Sequence, residues 1–353
     1  MKFLQQWTSI IPVLAWVLFF SGLIPDSNIF QIVASVLLIL SVMSAVHHSE
    51  VIAHRVGEPY GTIILAVAIT VIEVSIVISL MVSGGEEAAA IARDTVYSAT
   101  MLILNGIVGL CLLIGGLKHH EQIFSKHSVI IALVSLVSII IFTLVFPSFT
   151  QSIAGPYYST PQLIFVSIAC LVIYSFFLFA QTSRHRAYFL SKDDQENTVQ
   201  ISNKAMATSV IFLLASLGIV VLLAKTLSPK IESIIIANNL PQALVGVIIA
   251  AIILLPEGVA AVIAAKSNKL QTSLNLALGS ALASIGLTIP CVAAVCSIYD
   301  INIVLGLDIK SIILLGLSVF TVMLSLSSGR SNIIYGVVLL VNLFAFIFMI
   351  IYP

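Results

Sequence analysis

The chain has 353 residues, 60% of them hydrophobic and only 8% charged, and its mean hydropathy is +1.17. A soluble domain carries roughly a quarter charged residues, so composition excludes that class and points to a membrane protein. The formal net charge of zero gives no reason to expect a nucleic-acid or other polyanionic partner.

A span needs about 20 largely apolar residues. In chain order, eleven apolar runs separated by polar punctuation meet or approach that length: 9–24, 29–46, 61–83, 95–116, 128–148, 162–181, 206–227, 242–265, 272–297, 310–327 and 332–352. Lys2 before the first run imitates a signal peptide, but Pro25, Asp26, Ser27 and Asn28 follow instead of a small-residue cleavage site. The first run is therefore read as an uncleaved span. The stretch 182–204 holds Arg184, His185, Arg186, Lys192, Asp193, Asp194 and Glu196 and reads as a linker between two halves. Cys111, Cys170, Cys291 and Cys296 lie in apolar surroundings without metal or CxxC spacing, and read as small buried residues.

Assigning loops alternately to two sides distributes the cations unevenly. One side receives Lys2, Arg55, Lys118, Lys126, Arg184, Arg186, Lys192, Lys204, Lys266, Lys269 and Arg330, eleven in all; the other receives Arg93, Lys225, Lys230 and Lys310, four. Lys and Arg are retained on the cytoplasmic side. The N-terminus and the linker are thus expected in the cytoplasm, the C-terminus outside, and the chain in the inner (plasma) membrane.

Two charged residues lie well inside a run: Glu73 in the third and Glu257 in the eighth. A charge at the bilayer centre costs several kcal/mol, on the order of 3 by insertion scales, and its default meaning is functional. The surroundings match. Each run opens near a glycine (Gly61, Gly246), continues apolar, reaches the Glu and then small residues. Each is followed by a run rich in small and polar residues: Tyr97, Ser98, Asn105, Gly106 and Gly109 after the first, and Asn275, Gly279, Ser280, Ser284, Gly286 and Thr288 after the second.

The two runs are five apart, and five is odd, so they enter the membrane from opposite sides. That is an inverted-topology repeat. The expected fold is an all-α polytopic membrane protein with about eleven transmembrane helices. Residues 1–28 are expected to form an extra N-terminal helix, 29–181 a first inverted repeat (alpha-repeat 1 at 57–116), 182–205 a cytoplasmic linker, and 206–353 a second inverted repeat (alpha-repeat 2 at 242–297). Pro256 lacks an N–H and frees the carbonyl of Ile252, so the second acidic helix is expected to be broken beside its Glu. Two carboxylates in a low-dielectric site need a counter-charge. A cation or protons supply it in competition, which is the basis of antiport. Thr70 and the Ile252 carbonyl are further oxygen donors.

At these residues the sequence resembles the Ca2+:cation antiporter superfamily, and within it the bacterial calcium/proton antiporters of the ChaA and CAX type. The resemblance rests on Gly57-Glu58-Pro59-Tyr60-Gly61-Thr62, Glu73-Val74-Ser75, Arg93-Asp94-Thr95-Val96-Tyr97-Ser98 and Asn105-Gly106. In the second half it rests on Pro256-Glu257-Gly258, Asn275 to Ser280, Thr288-Ile289-Pro290 and Ser328-Gly329-Arg330-Ser331-Asn332. It implies that Glu73 and Glu257 bind the transported cation and protons, with Asn105 and Ser284 as neighbours. It implies transported Ca2+ (with Na+ or K+ left open), H+, no cofactor, and a homo-oligomer left open. Two features depart from the pattern: the linker is only mildly acidic at Asp193-Asp194-Gln195-Glu196, and Leu339 stands where some members carry a His in the last span.

Weaker features have plainer readings. His47-His48, His54 and His119-His120 are expected to be solvated flanking residues. Residues 49–57 are expected to extend the second span as an interfacial helix. Glu86, Glu87 and Asp94 are expected in a solvated outer loop. No HExxH, membrane Ser–His pair or paired membrane Asp supports an intramembrane protease, so the chain is not read as an enzyme. A passive cation channel usually takes its filter from rings of identical subunits rather than two matched acids in one chain.

Overall fold

A computed structural model describes residues 2–24, 27–56, 60–84, 89–189, 202–238, 241–299 and 303–352. Among these residues the chain is helical, with a single isolated β-bridge. Each of the eleven runs falls on a long helix. They are α1 (Lys2–Phe20), α2 (Asn28–Val56), α3 (Tyr60–Gly84), α4 (Ile91–His119), α5 (Lys126–Ser148) and α6 (Thr160–Arg184). After a short helix at Arg186–Phe189 come α7 (Asn203–Ala237), α8 (Ala243–Lys266), α9 (Leu270–Tyr299), α10 (Ile309–Leu326) and α11 (Ile333–Ile351). Among the described residues nine of them are long and apolar enough to cross a membrane; α1 and α3 have shorter apolar cores at Trp7–Phe20 and Val67–Val82. With lipid offering no hydrogen bonds, a helix that satisfies its own backbone is the form such runs take.

The helices group into two compact units, residues 1–84 with 197–242, and 85–196 with 243–353. The first contains α1, α2, α3 and α7. Here α2 runs antiparallel to α7, as a ladder of polar pairs shows: Arg55 donates to Asn203 (2.9 Å), His48 pairs with Ser209 (3.3 Å), Ser44 with Ser216 (3.2 Å), and Lys230 donates to Asn28 (3.1 Å). The Trp16 indole of α1 donates to the Ala215 carbonyl (3.0 Å) and lies over Gly218. As expected, α2 continues beyond its apolar run to Val56.

The second unit contains the other seven. Helices α4 and α8 run parallel: Gly246 packs on the Asp94 backbone and Gly258 on Ile107. Helices α4 and α11 run antiparallel, with Gly116 against Ile333, Gly109 against Gly336 and Leu339, Gly106 against Leu343, and Tyr97 edge-on to Phe346 at 5.3 Å. Helix α10 is parallel to α4, and α9 is parallel to α5, where Gln271 meets Ser125 and Ser128, and Gly286 meets Ile139. Every one of these senses is what strict alternation of the runs requires. Pairs four or six crossings apart are parallel, and pairs five or seven apart are antiparallel.

Both ends of this unit are clasped. At one end, 122–124 pairs with 329–331: Phe124 donates to the Gly329 carbonyl (3.0 Å) and Ser331 to that of Gln122 (2.9 Å). The Gln122 amide reaches the Ala265 carbonyl (2.9 Å) and Asn268 (3.0 Å). Gly329 has φ +74 with the Phe124 carbonyl 3.2 Å from where a Cβ would sit, which accounts for a glycine in the Ser328–Asn332 motif. At the other end, Arg93 donates to the Gly306 carbonyl (3.2 Å), and the Leu305 and Gly306 amides bond that of Pro156.

Four expectations need correction. Cys291 of α9 is exposed, whereas Cys111, Cys170 and Cys296 are buried as expected. His48 is not solvated: it is buried against Ser209, the Thr8 carbonyl (3.4 Å) and the face of Phe212 (ring centroids 5.4 Å), because α2 carries it into the helix bundle. Asp94 is not in a loop but in the first turn of α4, ion-paired to Arg93 at 2.8 Å. Helix α8 is continuous through Pro256. A proline removes one backbone bond and pushes on one carbonyl, which a long packed helix absorbs without ending. Glu58, Glu86, Glu87, Asp193, Asp194 and Glu196 lie outside the described residues, as does the side chain of His54.

Candidate cation site

Glu73 lies near the middle of α3 and is buried, with buried Thr70 one turn earlier on the same face. Both belong to the first unit. Glu257, Asn105, Ser284 and Ile252 belong to the second, where their heights can be compared.

Gly258 packs on Ile107 across the parallel pair α8 and α4. Stepping back two residues from Ile107 reaches Asn105, within about one residue, roughly 1.5 Å of rise, of Glu257. A second contact gives the same level from the other side. The Cys111 thiol of α4 lies beside Ser273 of the antiparallel α9. Six residues back along α4 is Asn105, and six residues forward along α9 is Gly279, followed by Ser280. The short turn from Lys266 to Leu270 likewise sets Gly279 level with Glu257. Asn105, Glu257 and Gly279–Ser280 thus form one tier. Ser284 and Ile252 share a second tier about five residues, roughly 7 Å, away. Of the neighbours expected from sequence, the structure brings Asn105 to the level of Glu257 and sets Ser284 apart from it. Ser280, in the nearer tier, carries a buried hydroxyl oxygen without a partner among the described residues and was not singled out as a ligand.

Asn105 is fully buried and sits in a π-helical segment, Leu102–Ile107, that interrupts α4. Such a segment widens the turn, re-aims side chains, and recurs at functional sites. Its amide nitrogen donates to Ser318 Oγ of α10 at 2.9 Å and to the Met101 carbonyl at 3.3 Å. Its Oδ1 has no partner among the described residues. Leaving a buried carbonyl unpaired costs about 1–3 kcal/mol, and a native structure keeps such an atom for a reason, ligand binding among them. The Thr70 hydroxyl is in the same condition, as are those of Thr95 and Thr288. Neutral oxygens of this kind beside a buried carboxylate are the donors a hard cation takes.

One family model, described as sodium/calcium exchanger protein, matches residues 27–183 and again 208–352. The chain belongs to the sodium/calcium exchanger family. It is therefore a multi-pass membrane transporter that exchanges cations. The y4hA protein of Sinorhizobium fredii, whose name calls it an ionic transporter only provisionally, is 41% identical over 94% of this chain and 92% of its own. The sodium-potassium/proton antiporter ChaA of Escherichia coli is 32% identical over the same shares. Among solved structures, native YfkE superposes with a TM-score of 0.73 at 20% identity, covering 98% of this chain and 100% of its own. The H+/Ca2+ exchanger CAX gives 0.69 at 12% identity, covering 97% and 88%. At these identities the structures speak for the fold alone, and it is the exchanger fold.

Proposed function

We propose that the chain exports Ca2+ in exchange for H+ by alternating access, with cation and protons competing for Glu73 and Glu257. The observation that carries this is the burial of a carboxylate near the middle of each of two helices in matched sequence contexts. A buried pair of negative charges is costly, a divalent cation cancels both, and two protons cancel both equally well. Occupancy by one excludes the other. Asn105 Oδ1 and Ser280 at the Glu257 level, Thr70 beside Glu73, and Ser284 with the Ile252 carbonyl are the candidate neutral oxygens. The two separate matches of one family model support a duplicated chain with halves near 29–181 and 206–353. The alternation of helix senses supports the inverted repeat, and the eleven-to-four excess of Lys and Arg supports a cytoplasmic N-terminus and linker in the inner membrane.

A second reading, Na+ or K+ exchange for H+ on the same fold, is favoured by the name of the Escherichia coli relative. A Bacillus subtilis relative, 27% identical over 55% of the chain, is named a Ca2+/H+ antiporter instead. Transport in everted vesicles, read with a pH-sensitive dye while Ca2+, Na+ and K+ are offered in turn, separates the two. Glu73→Gln and Glu257→Gln each remove one charge and should abolish exchange of whichever cation is carried. Full exchange in either single variant would sink the site assignment, and cation flux indifferent to a pH gradient would sink antiport.

A further inference from the structure

Ser318 lies on α10, which no motif connected with transport, yet it is buried and fully committed. Its hydroxyl donates to the Leu314 carbonyl at 2.8 Å, so its proton is spent within its own helix. Toward Asn105 it therefore acts as an acceptor. The other group facing that end of the Asn105 side chain, the Met101 carbonyl, is also an acceptor only. Two acceptors on one side dictate which end of the amide lies there. The NH2 must face Ser318 and Met101, and Oδ1 must face away. The reverse orientation would set two oxygens against a third. The result is an amide held in one sense, with its carbonyl oxygen buried, without a partner among the described residues, and level with Glu257.

We propose that Ser318 is a positioning residue for cation selection, locking Asn105 so that Oδ1 is presented as a neutral ligand. This rests on the exchange function proposed above. A locked carbonyl costs no ordering when the cation arrives, and a neutral oxygen adds a ligand without adding charge that protons could titrate. Ser318 therefore bears on cation affinity rather than on proton occupancy of the glutamates. Removing its oxygen frees the amide to turn its NH2 toward the site, where it repels the cation.

The test is Ca2+/H+ exchange in proteoliposomes of wild type, Ser318→Ala and Ser318→Thr, with rates measured against Ca2+ concentration at several pH values. Loss of one hydrogen bond of this kind corresponds to about three- to tenfold in affinity. Ser318→Ala should raise the half-saturating Ca2+ concentration by that factor, leave the maximal rate nearly intact, and, with Ca2+ held at the same multiple of each protein's own half-saturating concentration, leave the pH at half-maximal rate unmoved. Ser318→Thr keeps the acceptor and should restore wild-type affinity. If Ser318→Ala does not reach the membrane, Ser318→Cys carries the same test, because sulfur accepts only weakly. An unchanged half-saturation in Ser318→Ala, or equal impairment in Ser318→Thr, overturns the inference. If the glutamate variants are inactive while Ser318→Ala is normal, only this inference fails. If the glutamate variants still exchange, the function it rests on fails.

Discussion

Gly336 offers the sharpest test of how the second unit is held together. A Cβ at Gly336 would sit 2.5 Å from the Leu113 nitrogen, 2.7 Å from the Gly109 carbonyl oxygen and 2.9 Å from Leu113 Cα. All three are backbone atoms, so no side chain can swing aside. Ordinary contact begins near 3.4 Å, and 3.4 minus 2.5 leaves about 0.9 Å by which α11 and α4 must separate. A gap of that size forfeits a quarter to a half of each van der Waals contact along the seam. Overpacking of this kind costs about 1–3 kcal/mol, and Gly336→Ala should lower the melting temperature in detergent by on the order of 5 °C. Gly316 on α10 is the control: a Cβ there meets no atom within 4 Å, so Gly316→Ala should be neutral or stabilise by roughly 0.5–1 kcal/mol through lost backbone freedom in the unfolded chain. Melting followed by intrinsic fluorescence at one fixed scan rate compares the three proteins. Equal melting of Gly336→Ala and wild type would refute the close approach of these helices. The same variant should also impair exchange, because α4 carries Asn105 one helix segment away.

His48→Ala removes the pairings to Ser209 and the Thr8 carbonyl and the stack on Phe212; it should destabilise by about 1–2 kcal/mol in a melting assay, whereas exposed His47→Ala should not. Asp308 caps α10 by accepting from the Ser311 amide at 3.3 Å, and Asp308→Ala should cost about 1 kcal/mol in the same assay. Partial burial pulls the Asp308 carboxyl upward, but the Ser311 hydrogen bonds and nearby Lys310 outweigh it, and its pKa lies below the ordinary aspartate value. A depressed acid stabilises the fold fully above its unfolded pKa, and that contribution fades as pH falls through the folded value. Melting of wild type should therefore drop on acidification below about pH 4 by more than melting of Asp308→Asn, and parallel curves would contradict the cap.

Much of the architecture was legible because the bilayer imposes it. Lengths of apolar sequence translate into helices when no other form satisfies the backbone, and alternation then settles which neighbours run parallel. The two midspan acids were equally visible, since a charge in an apolar run is costly enough to stand out from its neighbours. What surrounds them was not. The π-helical segment at 102–107 has no composition of its own; Leu102, Ile103 and Leu104 would suit an α-helix, and the segment's neighbours α8, α9, α10 and α11 are far away in sequence. Ser318 gave no signal because a lone serine in an apolar helix most often bonds its own backbone. Ser318 does that too, and its second contact exists only once α10 lies beside α4. His48 was misread for the opposite reason: polarity at the end of an apolar run looks like the edge of the membrane, whereas α2 continues to Val56 and buries it.

The carboxylates are the charged groups of the proposed site, and glycines and clasps fix the helices around one of them. A neutral ligand discriminates among cations only if its oxygen stays within a few tenths of an ångström of its place. In the second unit that condition is met by backbone contact. Gly246 and Gly258 bring α8 against α4, while Gly106, Gly109 and Gly116 bring α11 against the other side of the same helix. The π-helical segment is thus held from both flanks, and α10 reaches in with Ser318 to fix the one side chain the packing leaves free to turn. Above and below, the Gln122–Ala265 and Arg93–Gly306 bonds tie the ends of these helices to the loops beyond them. Ordering that is complete before the cation arrives is not charged against its binding. On the exchange function proposed above, Glu257 would supply the attraction in this unit, and the glycine seams and the Asn105–Ser318 pair the discrimination.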